Sequence, residues 1–178
     1  MREKDIIRNL KNGEHEYISY IVSEYYDEIY RYLCRKLGNE TEAEDVTQEV
    51  FTKFFANIHS YQERGKLKHY LLKMATNASN DVFRKSKPVI SFEEAGELQD
   101  GSLSPLELSE QKEEAARIKK ALQELSVLQR EVIILRFYHE LPFWDIARIT
   151  DSNLSTVKTR YRRGMAQLKK ILEVDYER

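Results

Sequence analysis

The chain has 178 residues, of which 41% are hydrophobic and 33% charged, with a formal net charge of −1. Its 6 glycines and 3 prolines leave few turn signals for a many-stranded β fold, and its single cysteine, Cys34, excludes an internal disulfide and a cysteine-based zinc cage. The longest aliphatic run, residues 132–135, is far below the ~20 residues of a membrane span, and the charged N-terminus lacks a signal-peptide pattern, so we expect a cytoplasmic protein without membrane insertion.

Charge is distributed unevenly along the chain. Residues 64–87 carry seven Lys or Arg against one acid, and residues 154–170 carry six against none. Between them, residues 88–110 carry six acids and no Lys or Arg. Two basic blocks separated by an acidic one predict two modules that face DNA, joined by a linker.

The first long segment opens at Gly13 and repeats apolar residues at spacings of three and four, which predicts a helix with one buried face. We expect this helix to end at Gly38 and to bury the thiol of Cys34. Thr41 and Glu44 form a capping-box pattern, which predicts the start of a second helix. That helix is expected to bury Val46, Val50, Phe51, Phe54 and Ile58, and to expose Asp45, Gln48, Glu49 and Thr52.

A third helix follows Gly65 and must end before Pro88, because proline cannot continue a helix. Its apolar side is expected to hold Leu67, Tyr70, Leu71, Met74, Ala78 and Val82. Helical periodicity then disappears and resumes near residue 110. The sequence therefore predicts an all-α protein of two small helical domains: a three- to four-helix bundle at residues 1–87, a flexible acidic linker at residues 88–109, and a four-helix domain with a helix-turn-helix at residues 110–178.

The helix-turn-helix is indicated by two helical segments, residues 143–149 and 154–168, joined by a turn of four residues. Asn153 suits the N-cap of the second segment, and Asp151 tolerates the left-handed backbone that such a turn demands. Upstream, Ser126 and Gln129 predict a capping box at the start of the preceding helix.

The second helix of this motif offers hydroxyls and cations that suit the major groove of DNA, whose walls are phosphate and whose floor is base edges. These side chains are Ser155, Thr156, Lys158, Thr159, Arg162 and Arg163. Spacing and charge alone also fit a solvated helical hairpin that contacts nothing in particular.

A resemblance to a known family becomes specific at this motif. Residues 125–136, together with residues 141–147 and 155–160, resemble the fourth conserved region of bacterial sigma factors.

Upstream segments resemble the second region of the same family. Residues 43–51 are similar to its polymerase-binding helix, and residues 70–77, followed by Asp81, Arg84 and Lys85, are similar to its promoter-melting helix. The two regions occur in the family's order and span nearly the whole chain. The short length resembles the extracytoplasmic-function (ECF) group.

The resemblance implies a protein that binds RNA polymerase core, through the β′ clamp helices and the β flap, and directs promoter recognition, DNA melting and transcription initiation. Polymerase contacts are implied for Asp45, Gln48, Glu49 and Thr52. Contacts to the minus-ten element are implied for Lys73, Asn77, Asn80, Asp81, Phe83, Arg84, Lys85 and Lys87. Contacts to the minus-thirty-five element are implied for Arg136, Ser155, Thr156, Lys158, Thr159, Arg162 and Arg163. An anti-sigma factor is a further implied partner, and no cofactor or metal is implied.

Three features depart from the family's pattern, and one of them is Phe54 with Phe55, which replace a typical tryptophan. Pro142 stands where a serine or threonine N-cap is usual, so the first helix of the motif is expected to start without a side-chain acceptor. Residues 150–152 replace a common leucine-glycine-isoleucine corner, which is expected to weaken the apolar seal of the turn.

Other functional classes fit parts of the sequence. A stand-alone helix-turn-helix regulator, with an N-terminal sensing or dimerisation bundle, would share the DNA-binding motif without needing polymerase. A pure interaction module would not need the two basic blocks. An enzyme is not expected, because the four histidines lack zinc-site spacing and neither a phosphate-binding loop nor a serine nucleophile elbow occurs.

Overall fold

Helices make up all the regular secondary structure of the described residues. The computed structural model describes residues 2–62, 66–85 and 105–176. The elements are α1 (Glu3–Lys11), α2 (Glu16–Leu37), α3 (Glu40–Ala56), a 3-10 helix (Ile58–Ser60), α4 (Leu67–Lys85), α5 (Pro105–Gln123), α6 (Val127–Phe137), α7 (Phe143–Ile149) and α8 (Leu154–Tyr176).

These helices form two compact units. The first contains α1 to α4 and the second contains α5 to α8. This arrangement confirms the all-α class with two small helical domains. The predicted linker lies mostly outside the described residues, so the domain boundaries stay predictions. α5 begins at Pro105, earlier than expected, because proline is well suited to the first position of a helix.

The first helix, α1, was not predicted from the sequence. It buries Ile6, Ile7 and Leu10. Gly13 lies in the connection between α1 and α2 with a φ of +88°, a left-handed conformation that glycine adopts without strain. The long helix predicted after it begins at Glu16. Glu3 links α1 to its neighbours: its Oε1 accepts from the backbone N–H of Leu67 at 3.1 Å. The carboxylate thereby caps the start of α4, where the N–H groups lack helical partners.

Apolar faces of α2, α3 and α4 form the core of the first unit. The expected burial of Val46, Val50, Phe51, Phe54 and Ile58 is confirmed, and Cys34 is a buried thiol. The capping-box prediction at Thr41 is wrong, because α3 already begins at Glu40 and Thr41 is exposed within its first turn.

The buried face of α4 is rotated from the predicted one. Tyr70 was expected in the core, but its side chain is 36% exposed and Met74 is only half-buried. The face turned inward carries Leu67, Leu71, Leu72, Ala75, Thr76 and Ser79. This rotation leaves the opposite, polar side of α4 at the surface.

The second unit is built around α6 and α8. The predicted capping box is confirmed: the Gln129 N–H donates to Ser126 Oγ at 3.4 Å, and the Ser126 N–H donates to Gln129 Oε1 at 3.2 Å. α8 approaches α6 closely at Gly164, where a Cβ would lie 2.8 Å from Ile133 Cδ1. Glycine there allows the close approach of the two helices, and a larger residue would force the Ile133 side chain to shift.

A buried arginine holds the end of α5. Arg130 is 6% exposed, and its guanidinium donates to the carbonyls of Leu122 (2.9 Å), Gln123 (2.8 Å) and Leu125 (3.2 Å). These are carbonyls at a helix C-terminus, which a cation satisfies and complements electrostatically. Burial lowers the pKa of Arg130 to about 10, so it remains protonated at neutral pH.

Candidate nucleic-acid and partner interfaces

The helix-turn-helix packs around a small apolar centre. Ile146 and Ile149 of α7 and Val157 of α8 are each at most 2% exposed. Ala147 is half-buried beside them, as expected for a small residue near the corner. The two helices are thus fixed against each other by a few aliphatic side chains, which leaves the outer face of α8 for other contacts.

Hydrogen bonds close the turn between α7 and α8. Asp151 has a φ of +46°, the left-handed conformation predicted for it. The Ser152 N–H donates to the Ala147 carbonyl at 3.0 Å, and the Ser152 hydroxyl accepts from Arg160 Nη1 at 2.9 Å. Polar bonds therefore hold the corner that was expected to be weakly sealed. Arg160 was not among the predicted site residues, since its role depends on a partner eight positions upstream.

The start of α8 is capped as predicted. Asn153 Oδ1 accepts from the Thr156 N–H at 2.8 Å and from the Ser155 hydroxyl at 2.8 Å. This cap fixes the first turn of the helix that carries the proposed base contacts. By contrast, Pro142 precedes α7 without a side-chain cap, which confirms that expectation.

The predicted minus-thirty-five residues of α8 lie together on its outer side. Helical spacing places them opposite Val157 and Gly164, both of which are buried. The exposed members are Ser155, Lys158, Arg162 and Arg163, and the half-buried members are Thr156 and Thr159. A shallow open groove beside α6 is lined by Ser126, Leu128, Gln129, Ser155, Thr156, Thr159, Arg160 and Arg163. The result is a polar, cationic surface along the outer side of α8.

Arg136 at the end of α6 is exposed but not freely rotating. Its Nη1 donates to the Leu141 carbonyl at 3.1 Å, and its guanidinium carbon lies 5.4 Å from the centre of the Phe143 ring. The hydrogen bond uses one edge of the guanidinium and the ring contact uses one face, and the guanidinium has five N–H donors in all. The guanidinium is therefore held in place with donors remaining for a phosphate.

Four of the eight predicted minus-ten residues share one face of α4, and the other four lie beside it or outside the described residues. Lys73, Asn77, Asn80 and Arg84 follow each other at spacings of four, three and four, so they project from the same side of α4. Asp81 borders this face and pairs with Arg84. The flanking and remaining positions are Phe83, which is half-buried, Lys85, which is exposed, and Lys87, which lies outside the described residues.

One member of this face is tied to the interior. Asn80 Oδ1 accepts from the ammonium of Lys36 at 2.9 Å, and Lys36 is completely buried. No pattern in the sequence indicated a role for this lysine, which stands within the apolar pattern of α2.

The predicted polymerase-binding residues of α3 are all at the surface. Asp45, Gln48, Glu49 and Thr52 are exposed, on the side opposite the buried valines and phenylalanines. Glu49 pairs with Lys53 one turn on. Exposed pairs of this kind contribute little stability, about 0.2–1 kcal/mol, so a partner's cation can displace Lys53 at small cost.

The described residues offer no obvious place for a bound metal. No group of three or more His, Cys, Asp or Glu among them is arranged to hold an ion. Nor does any helix within the described residues have the length and apolar character needed to cross a membrane.

A helix-turn-helix unit, accompanied by a helical bundle with two exposed polar faces, defines a two-module DNA-binding protein. Residues 21–88 match Sigma-70 region 2, and residues 115–168 match Sigma-70 region 4. The ECF RNA polymerase sigma factor SigW of Bacillus subtilis is 34% identical over 97% of this chain and 97% of its own length. SigX of the same organism, also an ECF RNA polymerase sigma factor, is 30% identical over 84% of this chain and 80% of its own.

A solved structure shows the same fold. The sigma factor RpoE, in complex with the anti-sigma factor NepR from Bartonella quintana, superimposes with a TM-score of 0.68 at 24% identity, over 88% of this chain and 97% of that one. The sequence relatives decide the classification: the chain belongs to the family of ECF RNA polymerase sigma factors. This outcome confirms the predicted family and sets aside the stand-alone regulator.

Proposed function

We propose that this protein binds RNA polymerase core and directs it to promoters through three separate polar surfaces, one each on α3, α4 and α8. The observation that carries the proposal is that both matched regions have their implied contact residues outside the core. Asp45, Glu49 and Arg162 are examples. Each is exposed, and the residues four positions before and after it are not buried. Residues that served only the stability of the fold would not need to be exposed on these surfaces.

The α3 surface is proposed to dock on the β′ clamp helices. Asp45 and Glu49 are one turn apart and both exposed, so two carboxylates face outward together. Gln48 and Thr52, both exposed, add neutral contacts. Such a surface suits a basic partner, and its attraction would weaken with salt because the charges are exposed.

The α4 surface is proposed to capture unpaired bases of the minus-ten element. Unstacking a base costs a few kcal/mol, which amide hydrogen bonds and stacking must offset. Asn77 and Asn80 supply the amides, and Lys73 and Arg84 supply cations for the strand's phosphates. Phe83, Lys85, Asp81 and Lys87 belong to the same proposed interface but lie at its borders or beyond the described residues.

The α8 surface is proposed to enter the major groove at the minus-thirty-five element. Its N-terminal half carries the six implied side chains, beginning at Ser155, and Arg136 contributes a phosphate contact from α6. The Ser155 hydroxyl donates to the Asn153 cap, so towards DNA it would act as an acceptor.

Further partners follow from the family. We propose that the second unit also contacts the β flap, and that an anti-sigma factor holds the protein inactive, as RpoE is seen with NepR. The protein is proposed to act in the cytoplasm, where polymerase is found, as a non-enzymatic factor that needs no cofactor.

The test replaces Asp45 and Glu49 together by alanine. Affinity for RNA polymerase core, measured by fluorescence anisotropy, is expected to fall about tenfold or more, since two exposed charge contacts are lost. The matched control replaces Glu24 and Asp27, two exposed acids of α2, and should bind core normally. Unchanged affinity in the Asp45 and Glu49 variant would contradict the docking assignment.

A second measurement separates DNA binding from initiation. The protein alone is expected to bind promoter duplex weakly, and promoter opening, followed with permanganate, should require core polymerase. Specific duplex binding that core leaves unaltered would contradict the proposed function.

A further inference from the structure

A buried lysine lies beneath the proposed minus-ten surface. Lys36 of α2 has an exposed fraction of 0%, and its ammonium lies 2.9 Å from Asn80 Oδ1 and 3.4 Å from the Thr76 carbonyl oxygen of α4. It also lies 5.8 Å from the centre of the Tyr32 ring. Of the residues on the proposed α4 surface, Asn80 therefore receives a hydrogen bond from a buried cation.

Stability alone does not explain a lysine at this position. Removing an ammonium from water is unfavourable, and apolar residues of similar volume often replace buried ions without loss of stability. Methionine has a comparable length and would fill the same space. The property that lysine adds is a set of hydrogen-bond donors with no acceptor.

Those donors determine which way round the Asn80 amide must sit. Because an ammonium can only donate, the amide oxygen has to face Lys36, and the NH2 group then occupies the other branch of the amide. Asn80 is half-buried and shares its face of α4 with Lys73, Asn77 and Arg84. The group left to meet a ligand on this face is therefore a donor.

We propose that Lys36 is a positioning residue, which orients Asn80 so that its NH2 group donates to a ring nitrogen or carbonyl oxygen of an unpaired promoter base. The inference rests on the proposed function of the α4 surface and deepens it. A freely rotating asparagine offers a donor or an acceptor with equal ease, so it discriminates poorly between bases. An asparagine held by Lys36 selects for bases with an acceptor at that point.

A neighbouring bond allows a matched control. The Tyr32 hydroxyl and Thr76 Oγ1 are 2.7 Å apart in the same interior region. Tyr32→Phe removes this buried bond without removing the donors on Asn80 Oδ1. It should lower thermal stability and leave base selectivity intact.

The experiment uses holoenzyme, assembled from RNA polymerase core and the full chain. The probe is a pool of single-stranded oligonucleotides randomised across the minus-ten element, from which bound sequences are recovered and counted. Asn80→Ala should reduce the base preference at one position of the minus-ten element by roughly tenfold, as expected for the loss of a base contact. Lys36→Met should reduce the preference at that same position by roughly threefold or more, because the two residues act together.

Two further variants test the orientation itself. Asn80→Asp keeps an oxygen for Lys36 but has no NH2 group, so it should lose selectivity as fully as Asn80→Ala while folding normally. The double variant of Lys36→Met and Asn80→Ala should match Asn80→Ala alone. Because Asn80→Asp needs no change at the buried lysine, the test remains decisive if Lys36→Met fails to fold.

The outcomes distinguish the inference from the proposed function. Wild-type selectivity in Lys36→Met or in Asn80→Asp, or multiplied losses in the double variant, would overturn the positioning role alone. A wild-type holoenzyme that binds core but enriches no sequence would overturn the function proposed for α4, and this inference with it.

Discussion

The N-cap of α8 allows stability and DNA binding to be separated at one residue. Asn153 Oδ1 accepts from the Thr156 N–H at 2.8 Å and from the Ser155 hydroxyl at 2.8 Å. Asn153→Ala removes both bonds and leaves the first turn of the helix without a cap. The same turn carries the first side chains of the proposed minus-thirty-five surface.

The expected loss can be estimated from the exposure of the cap. Replacing an N-cap by alanine costs about 0.5–2 kcal/mol. Asn153 and Ser155 are exposed, so the freed groups regain water, and we expect about 1 kcal/mol, in the lower half of that range. With a urea dependence of about 1–2 kcal/mol per molar, the midpoint should fall by roughly 0.5–1 M.

The single tryptophan makes this loss measurable in the full chain. Trp144 lies in α7 and is 60% exposed, so its fluorescence during urea unfolding is read together with circular dichroism. The control is Asn153→Asp, which keeps a capping oxygen and adds a charge that the helix N-terminus favours. It should retain stability but bind promoter DNA more weakly, because its charge meets phosphate. An unchanged midpoint in Asn153→Ala, or equal losses in both variants, would refute this reasoning.

Three other changes test the core, the groove contact and a half-buried phenol. Leu71→Ala, at a fully buried position, should cost about 2–5 kcal/mol, measured by circular dichroism during urea unfolding. Arg162→Ala should cost about 1–3 kcal/mol of promoter affinity and relax selectivity, whereas an equal loss on every sequence would assign it to phosphate. Burial, followed by the charge of Glu3, raises the pKa of Tyr25. The stability that its neutral form provides is therefore full below the ordinary pKa of about 10 and declines above it, and Tyr25→Phe should lack this decline when unfolding is compared at about pH 9 and 11.

The periodicity of apolar residues predicted the exposed face of α3 well, because charged side chains are seldom placed on the buried face of a helix. Asp45 and Glu49 could be assigned to the surface of α3 as soon as Val46, Val50 and Phe54 were assigned to the core. The helix-turn-helix was similarly accessible, since Asn153 and Asp151 have local backbone roles that need no tertiary information.

Small polar residues account for the misplaced face of α4. Thr76 and Ser79 suggest exposure by residue type, yet both are buried. The Ser79 hydroxyl donates to the Ala75 carbonyl at 2.7 Å, and so satisfies itself within its own helix. A prediction that counts only apolar residues misses Thr76 and Ser79, and it assigns Tyr70 to the buried face instead.

The two buried cations were equally invisible in the sequence, because their acceptors belong to other helices. Arg130 donates to three backbone carbonyls at and just after the end of α5, whereas Lys36 donates to the side chain of Asn80 as well as to the Thr76 carbonyl. A cation that holds backbone stabilises a helix end. A cation that holds a side chain determines how that side chain is presented.

This distinction predicts opposite phenotypes for two chemically similar substitutions. Arg130→Met removes the guanidinium donors from three carbonyls, of which that of Leu122 keeps a backbone donor, the Leu125 N–H. We expect it to cost about 3 kcal/mol of unfolding free energy, followed by circular dichroism. Its effect on base selectivity at the minus-ten element should be nil, since Arg130 lies in the second unit. Lys36→Met should show the reverse: a small change in stability and a loss of selectivity. Equal destabilisation by both substitutions, with no difference in selectivity, would mean that the buried lysine is structural in the same sense as the arginine.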